Sequence, residues 1–159
     1  MSQSQMSQSP TRFPGSQALC ALVLVVTLSF LAPAQAATLP TDNEQEILVK
    51  TTLMTFNDAN LTGNYSILHA RSAKVFREQL TVEKLAASFK VFRDKKVNLA
   101  SIVADEIESA KAPVLDAKGV LTLKGRFKDD EKRIRFDLQF VDEGGAWKLV
   151  GLNVNYKEE

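Results

Sequence analysis

Three side chains in the first half of the chain have types and spacing that could do chemistry: Asp58, Tyr65 and His69. His69 is the only histidine and follows Tyr65 by four residues, so on a helix both would occupy one side. With Arg71 beside them they would form a small cluster able to bind an anion or a carbonyl oxygen. Asp58 is the acid best placed for general-base work, since a carboxylate at the mouth of an apolar cavity has its pKa raised toward the working range. Asp137 alternates with Phe136 and Leu138 and so belongs to the far face of a strand, where an arginine is its expected partner. The set stops there. One histidine, a single cysteine (Cys20) and scattered carboxylates make no transition-metal site. There is no glycine-rich phosphate loop and no serine nucleophile elbow. Beyond Asp58, Tyr65 and His69 no catalytic residue is expected, and no cofactor.

The elements that would hold these residues follow from periodicity. Thr41 and Glu44 read as a capping box opening a helix over about 42–60, with Val49, Leu53 and Phe56 at i, i+4 and i+7. Gly63 suits a left-handed exit. Residues 65–70 predict a short helical turn and 72–80 an irregular or helical connector. Thr81 opens another helix with Val82, Leu85, Phe89 and Phe92 on one stripe. From Val97 the period changes to two, predicting strands over 97–109, 120–128, 132–142 and 146–156, with turns at 116–119, 129–131 and 143–145. Helices first and a meander of strands second give an α+β domain with helices on one face of an antiparallel sheet.

Alternation then sorts the strands into faces. Leu121, Leu123 and Phe127, then Ile134, Phe136, Leu138 and Phe140, then Trp147 and Leu149 are expected to look inward. Phe56, Tyr65, His69, Phe89, Phe136 and Trp147 are the candidates to line a ligand-sized space between helices and sheet, and a small apolar molecule is what such a lining would bind. The opposite face carries Lys124, Arg126, Arg133, Arg135 and Lys148 as a basic stripe, with Val150, Leu152 and Val154 as apolar area beside it. This is the expected partner face, either for a second copy of the chain or for an anionic surface.

The segments FNDANLTGNYSILHA, LTVEKLAASFKVF, GVLTLKGRF and IRFDLQFVDEGGAWKLVGLNV together resemble the nuclear transport factor 2-like superfamily, across about residues 44–155. They are most similar to its small exported bacterial members of unassigned role. The resemblance implies a cone, also described as cystatin-like: a curved antiparallel sheet wrapped around N-terminal helices, with a mostly apolar cavity at the open end. It implies dimerisation through the sheet face. It implies no activity, because that superfamily holds steroid isomerases, polyketide cyclases, dehydratases and epoxide hydrolases beside many non-enzymatic binding modules. The expected function is binding of a small apolar ligand or a protein partner by a homodimer. An isomerase- or dehydratase-like site at the cone mouth and an accessory role through the basic face are the alternatives.

Bulk composition fits this size of domain: 159 residues, 45% hydrophobic and 25% charged. Residues 1–36 look like a secretory leader, with a polar start holding one cation, Arg12, an apolar run over 18–31, Pro33, and Ala34-Gln35-Ala36 as a cleavage site. At 1.5 Å per residue that run covers only about 21 Å, short of a hydrocarbon core of roughly 30 Å, so no membrane span is expected after cleavage. The domain at 37–159 then holds 19 Lys+Arg against 19 Asp+Glu, Arg12 being the cation lost from 20. Such a neutral balance argues against nucleic acid as a partner. The product would be exported, periplasmic in a host with an outer membrane and secreted otherwise. Intact-mass measurement of protein from its own host is expected to place the N-terminus at Ala37; uncleaved cytoplasmic protein would contradict the leader.

Overall fold

Where the first helix begins is decided by Thr41. In the computed structural model, which describes residues 38–128 and 132–158, the Thr41 backbone amide and hydroxyl both donate to the Glu44 carboxylate, at 2.7 and 2.8 Å. The Glu44 amide returns a bond to Thr41 Oγ1 at 3.4 Å. Those bonds hold the exposed Glu44 carboxyl below its usual range, the Thr41 backbone contributing most. Helix α1, Asp42–Thr62, runs from this cap to Gly63, whose φ of 71° is the left-handed exit that favours glycine. The leader, the expected turn at 129–131 and the side chain of Arg133 lie outside the described residues.

Helices α2 (Ser66–Arg71) and α3 (Lys74–Gln79) occupy the segment expected to be a turn and a connector. Their junction is tied to the distant hairpin. The Ala73 amide donates to the Leu149 carbonyl at 2.8 Å, and Glu143 accepts from the Lys74 amide at 2.8 Å. Thr81 caps α4, Val82–Ser88, but the single helix expected here breaks at Phe89 and resumes as α5, Lys90–Asp94. The expected strand over 97–109 is corrected too. Leu99 begins a 3-10 turn at Ala100–Val103, because the Asn98 side chain accepts from the Ala100 amide and Asn57 of α1 accepts from the Leu99 amide at 2.7 Å. Local side-chain acceptors of this kind compete with the sheet ladder for backbone donors. Only Ile107–Ser109 remains a strand, β1.

Strands β2 (Val114–Leu115), β3 (Val120–Phe127), β4 (Lys132–Asp142) and β5 (Trp147–Glu158) complete a five-stranded antiparallel sheet. Its order is β1-β3-β4-β5, with β2 sharing the β1 edge of β3. The chain is therefore α+β. Leu121, Leu123, Phe127, Ile134, Leu138, Phe140 and Leu149 are buried with Val49, Leu53 and Phe56 of α1 in one apolar cluster. No helix of the described residues is long and apolar enough to cross a membrane.

One expectation about faces fails, for a local reason. Gln139 pairs with Gly151 but Phe140 pairs with Leu149, so Val150 is the extra residue of a β-bulge. An inserted residue reverses the alternation beyond it. Leu152, Val154 and Tyr156 therefore stand opposite Leu138, Phe136 and Ile134, on the core side, and not on the partner face with Val150. Leu152→Ala is expected to cost about 1–2 kcal/mol in urea unfolding and Asn153→Ala less than about 0.5 kcal/mol. Equal effects would mean that the bulge is absent.

Candidate functional site

The residues singled out for chemistry do not meet. Asp58 is on the exposed side of α1. Tyr65 is fully buried, and its hydroxyl donates to Asn60 Oδ1, itself buried, while accepting from Arg93 Nη1 at 3.0 Å. The Arg93 guanidinium also sits 5.6 Å from the centre of the Tyr65 ring. His69 turns elsewhere, its Nε2 lying 3.3 Å from the Arg77 carbonyl. A carbonyl only accepts, so that contact needs the proton on Nε2. Arg71 donates to Thr55 at 3.4 Å and joins neither ring. Each of the three candidates thus has a different surrounding. Among the described residues, no group of three His, Cys, Asp or Glu is placed to hold a metal ion.

The aromatic candidates divide as well. Phe56 meets Phe89 and Phe92 edge-on at 4.7 and 5.2 Å, and Phe89 stacks on Tyr65 at 6.3 Å. Edge-to-face pairs add about 0.5–1.5 kcal/mol each beyond burial, so this end of the interior is held together by ring contacts. Phe136 and Trp147 lie away from it, each beside a separate opening.

The larger of these two openings is a cleft of about 280 Å³. One wall is the first two turns of α1, where Asp42, Gln45, Glu46 and Val49 fall at i, i+3, i+4 and i+7 and so share a face. The floor is Val49, Ile107, Leu123 and Phe136, with Ser109, Lys111 and Pro113 opposite. Gly125 shapes the floor. A Cβ there would come within 2.6 Å of Phe136 Cζ and 2.8 Å of the Glu108 carbonyl oxygen, so the ring can lie over the strand only because glycine is present. Phe127 supports the same ring at 5.6 Å. The polar rim is held in place: Glu46 pairs with Lys50 at 2.8 Å and Gln45 donates to the Pro40 carbonyl at 2.7 Å. An apolar floor under a polar rim can take up a small molecule with one polar end. Of this set only Phe136 was among the residues expected to line a ligand space, Val49 and Leu123 being expected in the core. The missed signal was the α1 stripe continued backward from Val49, where polar residues replace apolar ones on the same inward face.

On the outer face the basic stripe is matched by acids only in part. Lys124 pairs with Asp137, in place of the arginine expected there; Arg126 pairs with Glu108 at 2.5 Å and Lys128 with Glu106 at 2.6 Å. Hydrogen bonding to Lys128 and its charge hold Glu106 below the usual carboxylate range. Arg135 faces Arg126 across the strands and forms no ion pair with a described residue. With Leu152 and Val154 turned inward, Val150 alone of the expected apolar partner residues remains on this face.

Burial raises the Tyr65 hydroxyl above its ordinary value of 10.0, against the opposing pull of Arg93. The folded chain keeps this proton after the unfolded chain has lost it. The stabilisation is fully present below about pH 10 and is lost as pH rises through the folded value. Tyr65→Phe is expected to cost about 1–3 kcal/mol at neutral pH, because Asn60 and Arg93 lose their shared partner, and to flatten the alkaline fall in stability. An unchanged alkaline profile in denaturant titrations would contradict this. No family model, no curated protein and no solved structure matches the chain, so the chemistry of the site has to be read from its own residues.

Proposed function

We propose that this chain is an exported, non-catalytic binding domain of the nuclear transport factor 2-like type, and that its cleft takes a small, largely apolar molecule. The observation that carries the reading is the cleft: about 280 Å³, floored by Val49, Ile107, Leu123 and Phe136 and open past a polar rim. That volume lies at the lower edge of the range for small-molecule sites. The order of helices before antiparallel strands and a space left at one end of the core are in keeping with the cone that the resemblance implies. Support for a non-catalytic role is the dispersal of Asp58, Tyr65 and His69, since general acid–base work needs its groups within hydrogen-bond reach of one substrate position. Export rests on the leader pattern of residues 1–36. A homodimer belongs to the same proposal. What supports it on the outer face is the apolar group Val114, Val120, Val141 and Val150 beside Thr122, at the end of the sheet away from the Arg126–Arg135 pair.

The test uses the neutral probe N-phenyl-1-naphthylamine. The purified protein is expected to enhance its fluorescence saturably with one site per chain. Ser109→Phe, which fills the cleft from an exposed wall position, is expected to weaken that binding at least tenfold without lowering the unfolding midpoint. Native mass spectrometry of protein from its own host would show a bound molecule and the subunit count together. No saturable probe binding and no retained molecule would overturn the reading.

A further inference from the structure

A second groove lies further along α1, between that helix, the end of α2 and the start of β5, with a volume of about 100 Å³. Leu68, Phe140 and Leu149 give it an apolar floor, and Trp147 stands half-buried beside them. From α1 it receives Leu48, Thr51, Thr52 and Thr55, again at i, i+3, i+4 and i+7. No carboxylate lines it, and its charged residues are Arg71 and Lys148. Lys148 alternates with Trp147 and Leu149 and pairs with Val141, so it turns to the other side of the sheet. Arg71 is therefore the cation that faces this groove.

One hydrogen bond at 3.4 Å ties it to α1. Thr55 gives its hydroxyl proton to the Thr51 carbonyl at 2.8 Å, which leaves Oγ1 as an acceptor for Arg71 Nη1 at 3.4 Å. That uses one of the five N–H donors of the guanidinium. Arg71 forms no ion pair with a described residue. The two acids of the adjacent hairpin are turned to backbone, Asp142 accepting from the Gly145 amide at 2.7 Å and Glu143 from the Lys74 amide at 2.8 Å. An oriented guanidinium beside an indole ring and an apolar floor, with no neutralising acid in the lining, matches a planar carboxylate, which arginine can hold through two parallel hydrogen bonds. We propose that this groove is a binding site for a small free aromatic carboxylate, its acid group on Arg71 and its ring against Trp147. The site is independent of the cleft.

Trp147 is the only tryptophan in the chain, so its emission and its indole N–H resonance report on the groove directly. Sodium benzoate is expected to change both saturably, with benzamide at least tenfold weaker and benzylammonium without effect. Raising the salt concentration from 0.15 to 1 M is expected to weaken benzoate severalfold, roughly as for a partly exposed ion pair. Arg71 is exposed, so Arg71→Ala should fold normally and bind benzoate at least tenfold more weakly, with Arg71→Lys between it and the parent. Thr55→Val, which removes the acceptor that orients the guanidinium, is expected to lose severalfold in affinity while the salt dependence persists. Ser109→Phe should leave benzoate binding unchanged, and Arg71→Ala should leave the naphthylamine probe unaffected. Equal binding of benzamide, parent-like binding by Arg71→Ala, or no saturable change in either signal would overturn the assignment. So would a tripeptide ending in phenylalanine that binds tenfold more tightly than benzoate, since it would assign the groove to a peptide C-terminus.

Discussion

The inner face of the sheet is apolar along the whole of β5 only because that strand changes parity at Val150. Trp147 and Leu149 face the helices before the bulge, and Leu152, Val154 and Tyr156 face them after it. A strand with unbroken alternation would keep one of these groups inside and turn the other to solvent, because the side-chain period of a strand is two. Both halves are in use. The first half holds the α2–α3 junction through the Leu149 carbonyl and walls the groove with Trp147. The second half brings Tyr156 to Phe92 at 6.4 Å, which carries the aromatic packing of α5 onto the sheet.

Helix α1 is the other common support, and its stripes explain why open space survives where it does. Along its middle, Leu53, Phe56 and Asn57 are buried, Asn57 bonding the Leu99 amide. Phe56, Phe89, Phe92 and Tyr65 then fill the volume between α1, α4 and α5. Space is left at two places where α1 presents short or polar side chains to apolar sheet residues: Asp42, Gln45 and Glu46 above Leu123 and Phe136, and Thr51, Thr52 and Thr55 beside Trp147 and Leu149. A polar side chain cannot close such a gap cheaply, because burying it without a partner costs more than the contact returns. The openings are therefore built into the helix sequence and do not reflect loose packing.

Most of the architecture was legible because it rests on strong local signals. The Thr41–Glu44 box, Gly63, the Val49–Leu53–Phe56 stripe and the alternation through Leu123 and Phe136 each act within a few residues. What was not legible depends on partners distant in sequence. The bulge at Val150 leaves only one mark, Gly151 inside the strand, and such a glycine can equally signal a close approach of another chain segment, here the Gln139 side chain 2.7 Å from where a Cβ would be. The 3-10 turn at Ala100–Val103 depends on Asn57, some forty residues away, and its apolar Val97, Leu99 and Ile102 imitate a strand. The candidate sites suffered from the same limit. Tyr65 and His69 do share a short helical segment, but Asn60, Arg93 and the Arg77 carbonyl decide where their polar atoms go. Gly125 was a glycine in a strand, and only Phe136 above it shows why a side chain there would not fit.

Charge on the outer face argues for where binding should be sought. Lys124, Arg126 and Lys128 each have an acid partner across the strands, while Arg135 and Lys148 form no ion pair with a described residue. Pairs this exposed contribute little to stability and are weakened by salt. Their main effect is to neutralise part of that face. The inner side differs in kind. There the cleft sets an apolar floor under a polar rim, and Arg71 lines the groove of Trp147 with no acid in the lining. Both inner openings set an apolar floor beside polar groups, an arrangement that follows from the stripes of α1 and the parity of β5.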